Sequence, residues 1–122
     1  MRLLLDTHAL VWWDNGALPV RVTARIREAD EVYVSAATAW EVTIKSTLGK
    51  IATRGTVSEA IADYGFKELP ITVSHAEAVR LLPPHHRDPF DRMLVAQARV
   101  EALSLVSRDP AVRLYDVPIV WA

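Results

Sequence analysis

Four acidic side chains either follow an apolar run of this sequence or lie near the start of a helical pattern: Asp6, Glu41, Asp91 and Asp109. Carboxylates that are gathered at one point repel one another, which raises their pKa values unless a cation is bound. Oxygen ligands of this kind select hard cations such as Mg²⁺ or Mn²⁺. Because those ions activate water and stabilise charge at a phosphorus atom, the four acids favour metal-dependent phosphoryl transfer.

Two of these acids also have an ordinary structural explanation. Asp6 directly follows the apolar run Leu3–Leu5, so it could be the N-cap of a helix. Asp109 precedes Pro110, and Asp-Pro is a common signal for a turn or a helix start. Taken one at a time, these structural explanations are favoured over a catalytic role.

The other two acids fall on predicted helices. Glu41 shares a helix face with Ile44, and a carboxylate beside an apolar stripe is costly unless it is paired. An i,i+4 ion pair with Lys45 is the ordinary alternative. Asp91 shares a face with Leu94 and lies in a first helical turn, where the helix dipole stabilises an anion. Only the combination of all four acids favours a shared metal site over these separate explanations.

The composition is that of a folded domain and excludes several classes of function. Hydrophobic residues make up 51% of the 122 residues and cysteine is absent, which excludes a disordered chain, disulfides and a thiol nucleophile. The formal net charge of −1 argues against wrapping duplex DNA on a basic face. No segment approaches the roughly 20 apolar residues that span a membrane. The early charged residues do not resemble a signal peptide, so we expect a soluble cytoplasmic protein.

Short apolar runs alternate with longer helical patterns along the chain. Strands are predicted at residues 3–5, 32–34, 68–71, 104–106 and 118–121. Helices are predicted at residues 8–14, 20–29, 36–48, 56 or 58 to 64, 74–82 and 88–101, with N-caps at Ser35, Ser74 and Asp88. This alternation indicates an α/β fold with a parallel sheet covered on both faces. In such sheets ligands bind at the carboxyl ends of the strands, where Asp6 and Asp109 are predicted to lie.

Four segments of the sequence resemble the PIN-domain ribonucleases, specifically the VapC-type toxins of prokaryotic toxin–antitoxin pairs. They are Leu3–His8, Val34–Glu41 with the following Lys45, Gly49 and Lys50, His86–Ala98, and Leu105–Asp109. Each segment is a weak motif alone, but together they occur in the family's order and cover nearly the whole chain. Ser107 departs from the family pattern, in which Thr is frequent, yet it keeps a hydroxyl group.

The resemblance implies a single PIN domain over residues 1–122, with a parallel sheet of about five strands between helices. It implies that the four acids Asp6, Glu41, Asp91 and Asp109 hold one or two Mg²⁺ or Mn²⁺ ions. It also implies an endoribonuclease toxin that hydrolyses RNA by metal-activated water. The implied partners are a small VapB-type antitoxin and a second copy of the chain in a homodimer.

Roles within this implied site can be written as a hypothesis. Asp6 and Asp91 bind the principal metal, Asp109 assists directly or through water, and Glu41 binds a second ion or orients the attacking water. The hydroxyl groups of Thr7 and Ser107 bond to these carboxylates or to a bound water, or else they only cap the local backbone. Asp88, one turn before Asp91, is expected to cap its helix rather than bind metal.

Several other residue types near the acids invite a functional interpretation. Three arginines that flank the acids in sequence either hold RNA phosphates or pair with acids and stay solvated: Arg87, Arg92 and Arg108. His85 and His86 are expected to be solvated loop residues rather than ligands. Four tryptophans could stack on RNA bases, although an exposed tryptophan more often marks a protein interface: Trp12, Trp13, Trp40 and Trp121.

Two other functions compete with this interpretation. A haloacid-dehalogenase-like phosphatase also begins with Asp after a strand, but it requires a second Asp two residues later, and that position here is His8. A catalytically silent PIN scaffold that binds RNA or protein is the remaining alternative. Loss of one of the four acids would favour the scaffold, whereas all four are present.

Overall fold

Five strands and six helices alternate in the computed structural model, which describes residues 1–122. The strands are β1 (Arg2–Leu5), β2 (Glu31–Ser35), β3 (Lys67–Leu69), β4 (Ser104–Ser107) and β5 (Ile119–Trp121). The helices are α1 (Thr7–Asp14), α2 (Val20–Glu28), α3 (Ala36–Thr47), α4 (Val57–Tyr64), α5 (Val73–Ala78) and α6 (Pro89–Glu101). Two short 3-10 helices, Val79–Leu81 and Val112–Leu114, follow α5 and β4. The predicted α/β fold class is confirmed.

All strands lie parallel in one sheet, in the order β3-β2-β1-β4-β5. The chain therefore builds the sheet outward from β1 on one side and then crosses to the other side with β4. This reversal makes the boundary between β1 and β4 the switch point, where the loops after the two strands diverge and leave a crevice. Asp6 follows β1 and Asp109 follows β4, so both acids border that crevice.

Side chains along β1 point alternately to the two faces of the sheet, so the core has two layers. Leu3 and Leu5 point into one apolar cluster with α1 and α2, while Leu4 points into a second cluster with α6. All three leucines are fully buried. Because both faces of the sheet are covered, the middle positions of its central strands are apolar on both faces, as expected for a parallel sheet.

Helix caps set where the acid-bearing helices begin. Ser35, the last residue of β2, caps α3 by accepting a hydrogen bond from the Ala37 N–H at 3.0 Å. Asp88 caps α6, with Pro89 at the first position of that helix. Both caps agree with the sequence prediction. Ser35 fixes the start of α3, which carries Glu41 in its second turn, and Asp88 fixes the start of α6, which carries Asp91 in its first turn.

The region between β3 and α5 differs from the prediction. β3 ends at Leu69 rather than residue 71, since Pro70 has no N–H with which to continue the strand ladder. The cap of α5 is Thr72 rather than Ser74: its hydroxyl accepts from the His75 N–H at 3.2 Å, and the His75 ring accepts from the Thr72 N–H at 3.1 Å. This reciprocal capping box starts the helix two residues earlier.

None of the helices combines the length and the hydrophobicity that a bilayer-spanning segment requires.

Candidate active site

Asp6 lies at the carboxyl end of the central strand and is only 4% exposed. Its Oδ1 accepts a hydrogen bond from the Ala9 N–H at 2.8 Å, so it does cap α1. Burial raises the pKa of Asp6, against the opposing effects of the Ser107 hydroxyl, the Ala9 N–H and the charge of His8. Capping therefore accounts for one oxygen of this carboxyl group, and its ionised form would require a counter-ion.

Glu41 is 2% exposed and reaches the same edge of the sheet from α3. The Thr7 hydroxyl donates to its Oε1 at 2.6 Å, and the Lys45 ammonium binds its Oε2 as the predicted i,i+4 ion pair. Hydrogen bonding to Glu41 raises the pKa of Lys45, which keeps that side chain positively charged. Thr7 thus contacts a carboxylate of the cluster, which is one of the two alternatives that the sequence left open.

Asp91 projects from the first turn of α6, and its pKa is raised to about 7. Burial is the largest cause and the charge of Asp88 is the next, while His86 opposes both. The charges of Asp6 and Glu41 raise this pKa further. These charge effects indicate that Asp6 and Glu41, from two other elements, face the same region of the domain as Asp91.

Asp109 completes the cluster from the loop after β4. Burial raises its pKa, but hydrogen bonds from the His86 ring and the Ala111 N–H outweigh burial, and the net pKa is lowered. Its Oδ1 accepts from the Ala111 N–H at 2.9 Å, which is the turn predicted from the Asp-Pro pair. Its own N–H donates to the Ser107 hydroxyl at 3.1 Å. Ser107 therefore orients the backbone of Asp109 in addition to its interaction with Asp6.

His86 is placed differently from the sequence expectation of a solvated loop residue. Its Nε2 lies 2.7 Å from Asp109 Oδ2 and 3.3 Å from Asp91 Oδ2, so the ring bridges two of the candidate acids. Its Nδ1 accepts a hydrogen bond from the Asp88 N–H at 3.0 Å. The proton of the neutral ring is consequently on Nε2, which donates toward the carboxylates. The fold of the loop, which the sequence alone does not specify, produces this contact.

The donor set is suited to a divalent cation. One carboxylate oxygen each from Asp91 and Asp109 and one ring nitrogen of His86 lie within 4.8 Å of one another. The pKa of Asp91 near 7 indicates that Lys45, the cation of this cluster, does not fully neutralise it. A hard cation such as Mg²⁺ or Mn²⁺ prefers these oxygen donors. Asp91 and Asp109 could therefore hold such an ion, whereas Asp6 and Glu41 lie outside this group of donors.

The flanking basic residues have three different environments. Arg92 donates to the carbonyls of Val79, Leu82 and Pro83 and to the Tyr115 hydroxyl, at 3.1 to 3.4 Å. This corrects the expectation that Arg92 pairs with an acid or stays solvated, since its guanidinium instead connects the loop before α6 to the rest of the domain. Arg87 is exposed, whereas Arg108 stacks on an aromatic ring.

Two other expectations concern Asp88 and His85. Asp88 Oδ1 accepts from the N–H groups of Phe90 and Asp91, at 2.8 and 3.3 Å. The predicted capping role of Asp88 is thereby confirmed, and its charge also raises the pKa of Asp91. His85 remains exposed, as expected, with its ring against Tyr115 at a centroid distance of 5.0 Å.

A buried polar network beneath the site was missed by the sequence analysis. The Ser35 hydroxyl donates to Gln97 Oε1 at 2.5 Å, and Gln97 Nε2 lies 3.3 Å from both His75 Nδ1 and the Pro70 carbonyl. His75 Nε2 in turn lies 2.9 Å from Glu101 Oε2. Gln97 falls three residues after Leu94, on the apolar face of α6. An amide at that position could have indicated the network from the sequence, because a buried amide needs hydrogen-bond partners.

Comparison with known proteins agrees with this architecture. The family model of the PIN domain matches residues 3–118. A search of curated proteins gives no significant match. Among solved structures, VapBC2 from Rickettsia felis, bound to a DNA fragment of its promoter, is similar with a TM-score of 0.76 and 11% identity, covering 100% of this chain and 99% of that one.

Two further structures have the same fold. VapBC from Salmonella typhimurium, bound to DNA, gives a TM-score of 0.69 at 14% identity and covers 98% of this chain and 97% of that one. A toxin–antitoxin complex from Klebsiella pneumoniae gives 0.65 at 17% identity and covers 97% and 95%. At these low sequence identities the structural likeness establishes only the fold. The family model, by contrast, matches nearly the whole sequence. The chain belongs to the PIN-domain family.

Proposed function

We propose that this protein is a metal-dependent endoribonuclease that acts as the toxin of a toxin–antitoxin pair. The observation that supports the proposal is the position of Asp6 and Asp109 directly beyond the two strands that flank the switch point, together with the pKa of Asp91, which is raised to about 7 in part by the charges of Asp6 and Glu41. A structural cluster of acids would be expected to pair with cations of the protein. Here the Lys45 ammonium is one cation beside four carboxylates, and the His86 ring, whose Nδ1 accepts a hydrogen bond, contributes a hydrogen bond rather than a charge.

The chain's own residues have separable roles in this proposal. Asp6 and Asp91 hold the principal Mg²⁺ or Mn²⁺, Asp109 assists, and Glu41 orients the attacking water or contacts a second ion. Thr7 fixes the Glu41 carboxylate through its 2.6 Å hydrogen bond. When bound, the cation supplies an activated water and offsets negative charge on the phosphodiester.

The proposed partners follow from the family and from its structural neighbours. The similar structures include complexes described as VapBC and as a toxin–antitoxin complex. By analogy, we propose that a small VapB-type antitoxin binds this chain and that the chain forms homodimers in the cytoplasm. The substrate is proposed to be single-stranded or looped RNA, in keeping with the resemblance of the four acidic motifs.

Replacement of a cluster acid tests the function. Asp6→Asn and Asp91→Asn should each reduce Mn²⁺- or Mg²⁺-dependent RNA cleavage by at least about 100-fold, more than the loss of an outer-shell partner. EDTA should abolish the activity of the wild type. The rate of cleavage of a fluorescent RNA, measured on variants whose circular dichroism is that of a folded protein, gives the comparison.

Asp63→Asn is the matched control, because Asp63 is an exposed acid on α4. This control should retain wild-type cleavage. Full activity of folded Asp6→Asn or Asp91→Asn would overturn the proposal. RNA binding without cleavage and without metal would instead favour the silent scaffold, and activity confined to p-nitrophenyl phosphate would favour a phosphatase.

A further inference from the structure

A short ladder of rings and one guanidinium lies beside the carboxylate cluster. The rings of His8 and Trp12, one helical turn apart on α1, have centroids 5.6 Å apart and an interplanar angle of 36°. The guanidinium carbon of Arg108 lies 4.4 Å from the centroid of the Trp12 ring. This distance is typical of a cation–π contact. Two different elements, α1 and the loop after β4, therefore combine to form one stacked surface, the His8–Trp12–Arg108 ladder.

The ladder is adjacent to the candidate acids because of where its members lie in the chain. His8 is two residues after Asp6, and Arg108 immediately precedes Asp109. His8 lies in the first turn of α1, the helix that Asp6 caps. A strand of nucleic acid that places one phosphodiester at the acids would therefore bring a neighbouring nucleotide to the ladder.

Arg108 is held in place and keeps two nitrogen groups free. Its Nε donates to the main-chain oxygen of Ala122 at 2.6 Å, which together with the Trp12 ring fixes the side chain. Neither of its Nη groups makes a hydrogen bond to the protein, and no acidic side chain forms a salt bridge with Arg108. Both Arg108 and His8 are exposed. A pre-positioned guanidinium with two free nitrogen groups matches the oxygen pair of a phosphate.

We propose that His8, Trp12 and Arg108 form a nucleotide subsite, in which one base of the RNA stacks on the exposed His8 ring and the half-buried Trp12 ring and its phosphate binds Arg108. The inference rests on the proposed function and specifies how its substrate is held. Unpaired bases stack on aromatic side chains irrespective of sequence, so the subsite favours single-stranded over duplex RNA. An acidic peptide would use the guanidinium but would have no base to stack on the rings.

Steady-state kinetics on a short RNA tests the subsite. Arg108→Gln and Trp12→Leu should each raise KM about tenfold and leave kcat unchanged, since stacking and phosphate contacts bind substrate without taking part in the chemical step. Trp12→Phe should restore most of the affinity because it keeps an aromatic face. Arg27→Gln is the matched control, as Arg27 lies over Trp13 on the other side of α1 with its guanidinium carbon 5.8 Å from the ring centroid.

Substrates with a single abasic nucleotide localise the stacked base. In wild type, an abasic residue at one position next to the cleaved bond should raise KM about tenfold, and it should have no further effect in Trp12→Leu. Wild-type KM in both Arg108→Gln and Trp12→Leu would overturn the subsite and leave the ladder as a protein contact. An equal increase in Arg27→Gln would also overturn it, because the effect would then be a general loss of positive charge.

Fluorescence distinguishes failure of the subsite from failure of the proposed function. Mixing wild type with RNA in a stopped-flow instrument should quench tryptophan emission before turnover, and Trp12→Phe should lose that quenching. Quenching that depends on Trp12 in a protein that cleaves no RNA would retain the subsite and refute the nuclease. Cleavage of RNA without any quenching that depends on Trp12 would retain the nuclease and refute the subsite.

Discussion

At neutral pH the carboxylate of Asp91 is close to half-protonated, because burial and the neighbouring acids raise its pKa to about 7. A proton and a divalent cation therefore compete for the same oxygen atoms. In the unfolded chain this carboxylate has its ordinary pKa of 3.8. The difference between the two states connects the ionisation of one residue to metal binding and to stability.

The difference between the folded and unfolded pKa values of Asp91 predicts how the stability of the metal-free protein depends on pH. Between the unfolded and folded pKa values of Asp91 the folded state binds more protons, so the free energy of unfolding should fall as pH rises through that interval. Urea unfolding in EDTA at several pH values measures this slope. In Asp91→Asn, which cannot ionise, the slope should be smaller, and an unchanged slope would show that other groups cause it.

In the presence of Mg²⁺ the free energy of unfolding should instead rise with pH. At about 100 times its Kd, Mg²⁺ adds about 2.7 kcal/mol to the free energy of unfolding. The same concentration should stabilise less near pH 5.5, where Asp91 is protonated, than near pH 8. Thermal unfolding with and without Mg²⁺ at the two pH values measures the difference. Stabilisation that is equal at both values, or that persists in Asp91→Asn, would contradict the assignment of Asp91 as a ligand.

At the scale of secondary-structure elements, Gln97 connects the two helices that carry Glu41 and Asp91. It accepts from the Ser35 hydroxyl at the start of α3 and donates to the Pro70 carbonyl after β3. Gln97 itself lies on α6 and is fully buried. Because the amide bonds to Ser35, it holds the start of α3 against the third turn of α6.

Gln97→Met should destabilise the protein by about 2 to 4 kcal/mol, since it leaves buried polar groups unpaired while nearly preserving volume. Chemical unfolding gives this value. The affinity for Mn²⁺, measured by calorimetry on the folded variant, should also fall because Asp91 and Glu41 lose their fixed spacing. Arg99→Met, on the exposed side of the same helix, should change neither quantity. A Gln97→Met variant of wild-type stability would show that the network is dispensable.

For the whole molecule, the net charge of −1 conceals an uneven distribution. Setting aside the four clustered acids leaves 11 acidic residues against 14 Lys and Arg. The remainder of the chain is thus mildly cationic around a negatively charged site that a divalent ion would neutralise. Few arginines adjoin that site, and Arg92 is engaged by loop carbonyls. The bound cation, rather than a broad basic surface, is therefore the main expected contact with the reacting phosphate.

This distribution predicts a shallow dependence of RNA binding on salt. A protein that contacts about two phosphates with Arg87 and Arg108 should show a log–log slope of about −1.4 for affinity against salt on a single strand. Arg108→Gln should reduce the magnitude of that slope by about 0.7. Titrations of labelled RNA at several salt concentrations give both values, and Arg80→Gln, exposed beyond α5, serves as the control. A steep slope would indicate a basic surface elsewhere on the domain.

Much of the architecture was predictable because local rules determine it. The apolar runs predicted the central strands, and the caps at Ser35 and Asp88 predicted two helix starts. The start of α5 was mispredicted by two residues because the His75 ring completes a capping box with Thr72. A histidine is not the usual partner in that motif, so sequence rules that look for Glu or Gln do not find it.

The sequence by itself determined the fold class and the identity of the acids, since residue types and strand–helix alternation require no knowledge of distant contacts. Only the tertiary structure decided what surrounds those acids. His86 bridges Asp91 and Asp109, and Arg92 donates hydrogen bonds to carbonyls of the loop before α6 rather than to a ligand. These contacts join residues far apart in the chain through an irregular loop. The backbone path of such a loop is set by packing against the rest of the domain, and no local periodicity encodes it.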